Sequence, residues 1–156
     1  MLFCVPLRTP QSISIAYPGT TANLQHFGNL EIANPAGVTF NTHAVALSNV
    51  TIHAGAGTIT GPGQTVTIGG NLADNAATGA WQVANTTMSG TQPVVAANLV
   101  TNLTFSGTAT LQNNYDLVGT LAVTGPAAVL DLNGMDVTAT GGVSVLNGAQ
   151  LRIGQG

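Results

Sequence analysis

The sequence predicts an all-β protein, a single-stranded parallel β-helix (β-solenoid) of about five to six coils of roughly 18–22 residues. Two observations predict this fold. One alternating apolar pattern is written nearly three times after residue 100, at Leu103–Leu111, Leu121–Leu132 and Val143–Ile153. Apolar-x-apolar triplets continue upstream, separated by Gly, Asn and Pro turns. Such a short unit buries its apolar face only against a neighbouring copy, so the repeat predicts stacked coils.

Residues 1–28 carry no periodic apolar pattern and contain several turn formers, among them Pro6, Pro10 and Pro18. We therefore predict an irregular lead-in here, with one strand at Ser12–Ala16. The solenoid domain is predicted to occupy residues 29–156 and to continue beyond the C-terminus in the native protein.

The triplets of the first coils begin at Leu30. In a strand, alternate side chains point to opposite faces, so the apolar members of each triplet are predicted to face inward. The triplets are Leu30–Ile32, Val38–Phe40, Val45–Leu47, Val50–Ile52, Thr58–Thr60 and Val66–Ile68.

The rhythm is interrupted between residues 71 and 98. We predict a loop or one helical turn over Asn71–Gly79, a resuming strand at Trp81–Val83 and a long turn over Ala84–Pro93. No segment has helical periodicity, and Gly is too frequent for a long helix.

In the last third, Leu121 is predicted to stack over Leu103 or Phe105, and Leu130 to face inward beside an outward Asp131. The final coil has no polar cap after it in the sequence, so it is expected to expose Val143, Val145, Leu151 and Ile153. Open strand edges favour pairing with another chain, which predicts self-association through the solenoid ends.

Composition excludes several classes of function. Charged residues make up 4% of the chain, with two arginines and no lysine, too few for the phosphate contacts that nucleic-acid binding needs. No apolar run is long enough to span a membrane. Cys4 is the single cysteine, so no intramolecular disulfide can form. The uncharged surface rich in Thr, Asn and Gly favours a secreted or cell-surface location, although residues 1–7 do not form a signal peptide.

Three segments carry a family resemblance: Gly119–Gly125, Ala128–Gly134 and Val143–Leu151. They resemble the coils of bacterial surface-protein β-helices, such as autotransporter passengers, filamentous-haemagglutinin-like adhesins and large repeat proteins of environmental bacteria. The resemblance covers roughly residues 30–156 and implies an extended secreted or surface rod used for adhesion or as a spacer. It brings no catalytic motif and no cofactor.

Asp116 and Asp136 are the candidate metal ligands. In a twenty-residue coil their like charges would stack on adjacent coils, and a bound Ca²⁺ would offset the repulsion. The alternative, which we favour, is that both are exposed turn carboxylates, because the chain lacks the Gly-Gly-x-Gly-x-Asp calcium repeat. Asn113 and Asn133 share the same spacing and predict a short amide ladder.

Other functions are less well supported by the sequence. A glycan-cleaving β-helix needs two positioned carboxyl groups, and the single cluster in the sequence is Asp116, Asp131 and Asp136. His43 and His53 lack a third metal ligand, and nothing supports Cys4 as a nucleophile. Thr-x-Thr triplets resemble the ice-binding faces of some antifreeze solenoids, but their unequal intervals oppose a common register; they start at Thr58, Thr65, Thr108 and Thr138. We therefore expect a structural or adhesive segment without catalytic activity, with glycan binding or cleavage, and then ice binding, as alternatives.

Overall fold

The computed structural model describes residues 2–4, 11–13, 25–46, 48–76, 80–91, 95–96, 101–112 and 114–154. Within them the chain forms β-strands and no helix, which confirms the all-β prediction. No helix in this described part is therefore long and apolar enough to cross a membrane. The strands are β1 (Leu2–Cys4), β2 (Gln11–Ile13), β3 (Gln25–Phe27), β4 (Leu30–Ile32), β5 (Val38–Phe40), β6 (Ala44–Ala46), β7 (Val50–Ile52), β8 (Ile59–Ile68), β9 (Leu72–Asp74), β10 (Trp81–Met88), β11 (Val95–Ala96), β12 (Asn102–Phe105), β13 (Thr108–Thr110), β14 (Tyr115–Leu117), β15 (Leu121–Thr124), β16 (Val129–Asp131), β17 (Val137–Ala139), β18 (Val143–Leu146) and β19 (Gln150–Arg152).

The strands stack as a parallel β-solenoid of about five turns, as predicted. Each strand pairs in parallel with the equivalent strand of the next coil. One side is a five-stranded sheet in the order β1-β4-β7-β9-β11, and a nine-stranded sheet runs from β2 to β18. The later coils add a three-stranded sheet, β13-β16-β19, and the pair β14-β17.

Coil length varies along the solenoid. Asn102 pairs with Asn85, 17 positions earlier, whereas Val143 pairs with Leu121, 22 positions earlier. The strands keep their register while the turns between them absorb the difference, because loop length changes stability only slowly.

The core lies inside the coils, and the predicted alternation places most of it correctly. Leu121 pairs with Leu103, and Val123 pairs with Phe105. All four side chains are buried, and each contributes roughly 1.5–3 kcal/mol to folding by leaving water. Trp81 is fully buried and meets Phe40 edge to face, with ring centroids 6.1 Å apart.

The sheets begin before residue 29. β1, β2 and β3 pair in parallel with β4, β5 and β6. The described parts of the expected irregular lead-in over residues 1–28 therefore already extend the sheets. The strand expected at Ser12–Ala16 is described over Gln11–Ile13, and its remaining residues, 14–16, lie outside the described part of the chain.

The segment from residue 71 to 98 contains more strand than predicted. β9 lies where a loop or helical turn was expected, and Leu72 within it is fully buried. β10 continues to Met88 through the expected long turn, with a register shift between Val83 and Asn85. The alternation is hidden there because the inward residue, Thr86, is polar.

In β6, the buried residue is not the one that the sequence predicts to face inward. The sequence favours Val45 as the inward residue, but Ala44 is buried and pairs with Val66. Small Ala44 carries too weak an apolar signal to reveal this phase.

The last coil is open at its outer side. Val143, Val145 and Ile153 are 50%, 41% and 76% exposed, as expected, and Leu146 is 53% exposed. Leu151 was expected to be exposed but is part-buried, because it packs against the core.

Candidate functional site

Asp116 and Asp136 do not pair with each other. Asp116 pairs with Thr138, and the backbone N–H of Asp136 donates to Asn114 Oδ1, 22 positions earlier, at 3.0 Å. The coil has 22 residues here instead of the twenty that stacking of Asp116 on Asp136 requires. Both carboxylates are exposed. Among the described residues, no group of three or more His, Cys, Asp or Glu side chains is arranged to hold a metal ion.

The amide ladder predicted for Asn113 and Asn133 stays a prediction, because Asn113 lies outside the described residues. Asn133 occupies a left-handed turn with φ of 50°. Its backbone N–H donates to Asp131 Oδ1 at 2.9 Å, and its side-chain amide donates to Leu111 O at 3.5 Å.

His43 and His53 lie at separate places, and each contacts a neighbouring coil. His53 Nε2 is 3.3 Å from Glu31 Oε2 beside the five-stranded sheet. His43 Nδ1 accepts a hydrogen bond from the backbone N–H of Thr65 at 2.9 Å. Each contact connects one coil to the next.

Sequence reasoning missed an amide ladder. Asn85 Nδ2 donates to Gln64 O at 3.2 Å, and Asn102 Nδ2 donates to Asn85 Oδ1 at 3.0 Å. Asn102 Oδ1 then accepts from both the backbone N–H and the hydroxyl of Thr120, at 2.9 and 3.2 Å. The ladder is invisible in a fixed-period search, because Asn85 and Asn102 are only 17 positions apart.

Another polar group lies inside the coil. The indole Nε1–H of Trp81 donates to Thr86 Oγ1 at 2.9 Å, so neither buried polar atom lacks a partner. Asp74 accepts from the backbone N–H groups of Ala76 and Trp81, at 3.0 and 3.1 Å. The carboxylate thus closes the connection between β9 and β10 and has a structural role.

The most regular array of polar groups lies on the nine-stranded sheet. Thr67, Thr87 and Thr104 occupy one register column on successive coils. Beside them, Thr65, Asn85 and Asn102 form a second column, which Thr120 extends through its hydrogen bonds to Asn102. We call these seven part-exposed or exposed residues the hydroxyl face: Thr65, Thr67, Asn85, Thr87, Asn102, Thr104 and Thr120.

Three of the four Thr-x-Thr triplets do not contribute to this face. Thr108 and Thr138 lie on other sheets. Thr60 of the Thr58 triplet does lie in β8, but it pairs with Thr39 and Gln82, in a column separate from the hydroxyl face. The Thr65 triplet is continued by Asn85-Thr86-Thr87 and Asn102-Leu103-Thr104, which do not match a Thr-x-Thr pattern. The sequence intervals were therefore a poor guide, since coil length varies and Asn replaces Thr in one column.

Charge is separated from the hydroxyl face. The charged residues within the described part of the chain all lie outside the strands of the nine-stranded sheet: Glu31, Asp74, Asp116, Asp131, Asp136 and Arg152. The hydroxyl face is consequently a neutral surface of hydrogen-bond donors and acceptors on an otherwise acidic chain.

Among the described residues, the apolar region between Leu103, Phe105, Tyr115, Leu130 and neighbouring side chains has no room for a water molecule. A ligand of this region would therefore bind on the outside.

Comparisons with protein-family profiles, curated proteins and solved structures give no match for this chain.

Proposed function

We propose that this chain is a structural and adhesive repeat segment of a secreted or cell-surface bacterial protein, without catalytic activity. The observation that carries the proposal is the parallel, in-register stacking of short coils along one axis. The resemblance to autotransporter-passenger and filamentous-haemagglutinin-like coils supports the same function.

Stacking provides a simple way to make a rod. Each coil adds about 4.8 Å along the axis, the spacing between hydrogen-bonded strands. Because each coil contacts only its neighbours, outward residues can change without altering the core. Adhesive contacts would therefore come from the outward faces and turns, while the buried triplets hold the rod together.

A glycan-binding or glycan-cleaving function has less support. Sugar sites commonly use exposed aromatic rings, as other ligand sites do. The aromatic side chains whose burial is described are all in the core: Phe40, Trp81, Phe105 and Tyr115. The carboxylates of Asp116 and Asp136 are both outward, but Asp136 precedes β17 and does not pair with Asp116.

We further propose that the open end formed by β18 and β19 binds a second copy of the chain. Its apolar residues have the same alternation as those that bind one coil to the next. A second end of this kind would bury them and pair the free strand edges.

Surface labelling and adhesion test the proposal together. Antibodies against the chain should label intact cells of the source organism or its culture medium, and beads coated with the chain should adhere to cell or matrix surfaces. Uncoated beads and beads coated with the unfolded chain are the controls. Labelling that requires permeabilised cells, or release of sugar products by the chain, would contradict it.

A further inference from the structure

The hydroxyl face repeats in two directions. Thr67, Thr87 and Thr104 follow one another across adjacent coils, about 4.8 Å apart by strand spacing. Along each strand, the two columns are two residues apart, which corresponds to about 6.6 Å in parallel sheet. The side chains thus form a lattice of groups that donate and accept hydrogen bonds.

The side chains of this lattice have little conformational freedom. Thr is stiff at χ1, so its hydroxyl and methyl groups keep defined positions. The amide column is fixed by the bond of 3.0 Å from Asn102 to Asn85 and by the contact of Asn102 with Thr120. Groups that are already ordered lose little conformational entropy on binding.

We propose that the hydroxyl face adsorbs to ice. An ice surface is an uncharged, periodic lattice of O–H donors and oxygen acceptors. A protein surface that matches it should also be uncharged, periodic and able to donate and accept hydrogen bonds. The face is neutral, it is periodic in two directions, and the charged side chains of the described part of the chain lie elsewhere. A charged group there would hold its own liquid hydration shell and prevent water from joining the lattice.

A neutral polysaccharide is the alternative ligand for the hydroxyl face, because its hydroxyl groups also donate and accept hydrogen bonds. The hydroxyl face has no aromatic residue on which a sugar ring could stack. Ordered water needs no such platform, so the observations favour ice.

The column of Thr67, Thr87 and Thr104 stops at Thr104, and this supplies a sharp test. The next position of that column is Ala122, which pairs with Thr104 on one side and Ser144 on the other. Ala122→Thr would restore the missing hydroxyl and extend the column to another coil. An ice-binding face should become more effective when it is enlarged in this way.

The experiment measures inhibition of ice recrystallisation and adsorption of fluorescently labelled protein to a single ice crystal. The wild type should inhibit, Ala122→Thr should inhibit at a lower concentration, and Thr87→Lys should lose both activities. Thr51→Lys is the matched control, because Thr51 is an equally part-exposed residue of β7 in the five-stranded sheet. Circular dichroism and melting temperature establish that all variants are folded.

Three results would overturn the proposal. The first is a folded wild type that neither adsorbs to ice nor inhibits recrystallisation. The second is equal activity of Thr87→Lys and wild type. The third is that binding to an insoluble neutral polysaccharide depends on Thr87 while ice activity does not. Because the adhesion assay uses beads without ice, failure here leaves the proposed adhesive function to be judged separately.

Discussion

Thr86 is a polar residue in the core, and one hydrogen bond offsets the cost of burying its hydroxyl group. It is 1% exposed, and its hydroxyl accepts the indole N–H of fully buried Trp81. Burying a polar group without a hydrogen-bond partner costs folding free energy, whereas burying two polar groups that bond to each other costs little. The bond also joins the two halves of β10 across the register shift between Val83 and Asn85.

Thr86→Val should therefore destabilise the protein although it preserves shape. The substitution leaves the indole N–H buried and unpaired, which costs about 1–3 kcal/mol. Thr86→Ser is the control, because it keeps the hydroxyl and removes one methyl group, worth about 0.8 kcal/mol. Urea unfolding measures both free energies. A Val variant as stable as the wild type would contradict the predicted contribution of this hydrogen bond.

Leu130 and Asp131 test the assignment of inward and outward positions. Leu130 is fully buried, whereas Asp131 is part-exposed and accepts a hydrogen bond from the Asn133 backbone. Leu130→Asp should unfold the chain or lower its melting temperature steeply, because it buries an unpaired charge. Asp131→Ala should lose only one exposed hydrogen bond, about 0.5–1.5 kcal/mol. Similar melting temperatures for the two variants would refute the assignment.

At the scale of elements, adjacent coils approach most closely at their corners. A Cβ on Gly90 would collide with the carbonyl oxygen of Gly69, and a Cβ on Gly107 with that of Gly90. These contacts involve backbone atoms that cannot move without separating the strands. Glycine is required there because any side chain would hold neighbouring coils apart.

Gly90→Ala should accordingly destabilise the solenoid by about 1–3 kcal/mol or more, the usual cost of overpacking. Gly28→Ala is the matched control, since a Cβ there meets nothing within 4 Å. Thermal unfolding followed by circular dichroism compares them. If the two alanine variants melt together, the corners are less tightly packed than the geometry indicates.

Most strands could be predicted from the sequence because their inward residues are large and apolar. The triplets at Leu30, Val38 and Val50 correspond to β4, β5 and β7. The second half of β10 was missed because Thr86 replaces an apolar residue, and a hydrogen bond that no pattern reveals makes the replacement acceptable. Periodicity reports burial, and it fails where polar atoms are paired inside.

The candidate site was harder to predict than the core. Its residues come into register through turns of unequal length, so Asn85 and Asn102 are 17 positions apart while Asp136 and Asn114 are 22 apart. A single assumed period of twenty misplaced Asp116 against Asp136. Only the strand pairing itself determines which outward residues become neighbours.

At the scale of the whole molecule, the two directions of the solenoid have different roles. Along the axis, each coil buries the inward apolar side chains of the coil before it. Around the axis, the charged side chains of the described residues lie outside the nine-stranded sheet, so that sheet presents a neutral face. The open coil at β18 and β19 is the place where axial packing stops within the described residues, and it carries exposed Val143, Val145 and Leu146.

This open end should make the chain self-associate. Val145 is 41% exposed and pairs with buried Val123, so a second copy would complete its burial. Val145→Lys places a charge at the free edge, which opposes edge-to-edge pairing. Val118→Lys is the matched control, because Val118 is 68% exposed but lies in the turn between β14 and β15. Light scattering across a concentration series should show association of the wild type and of Val118→Lys, and a monomeric Val145→Lys. A wild type that stays monomeric at every concentration would contradict end-to-end association, and equal loss in both lysine variants would assign the effect to net charge instead of the open end.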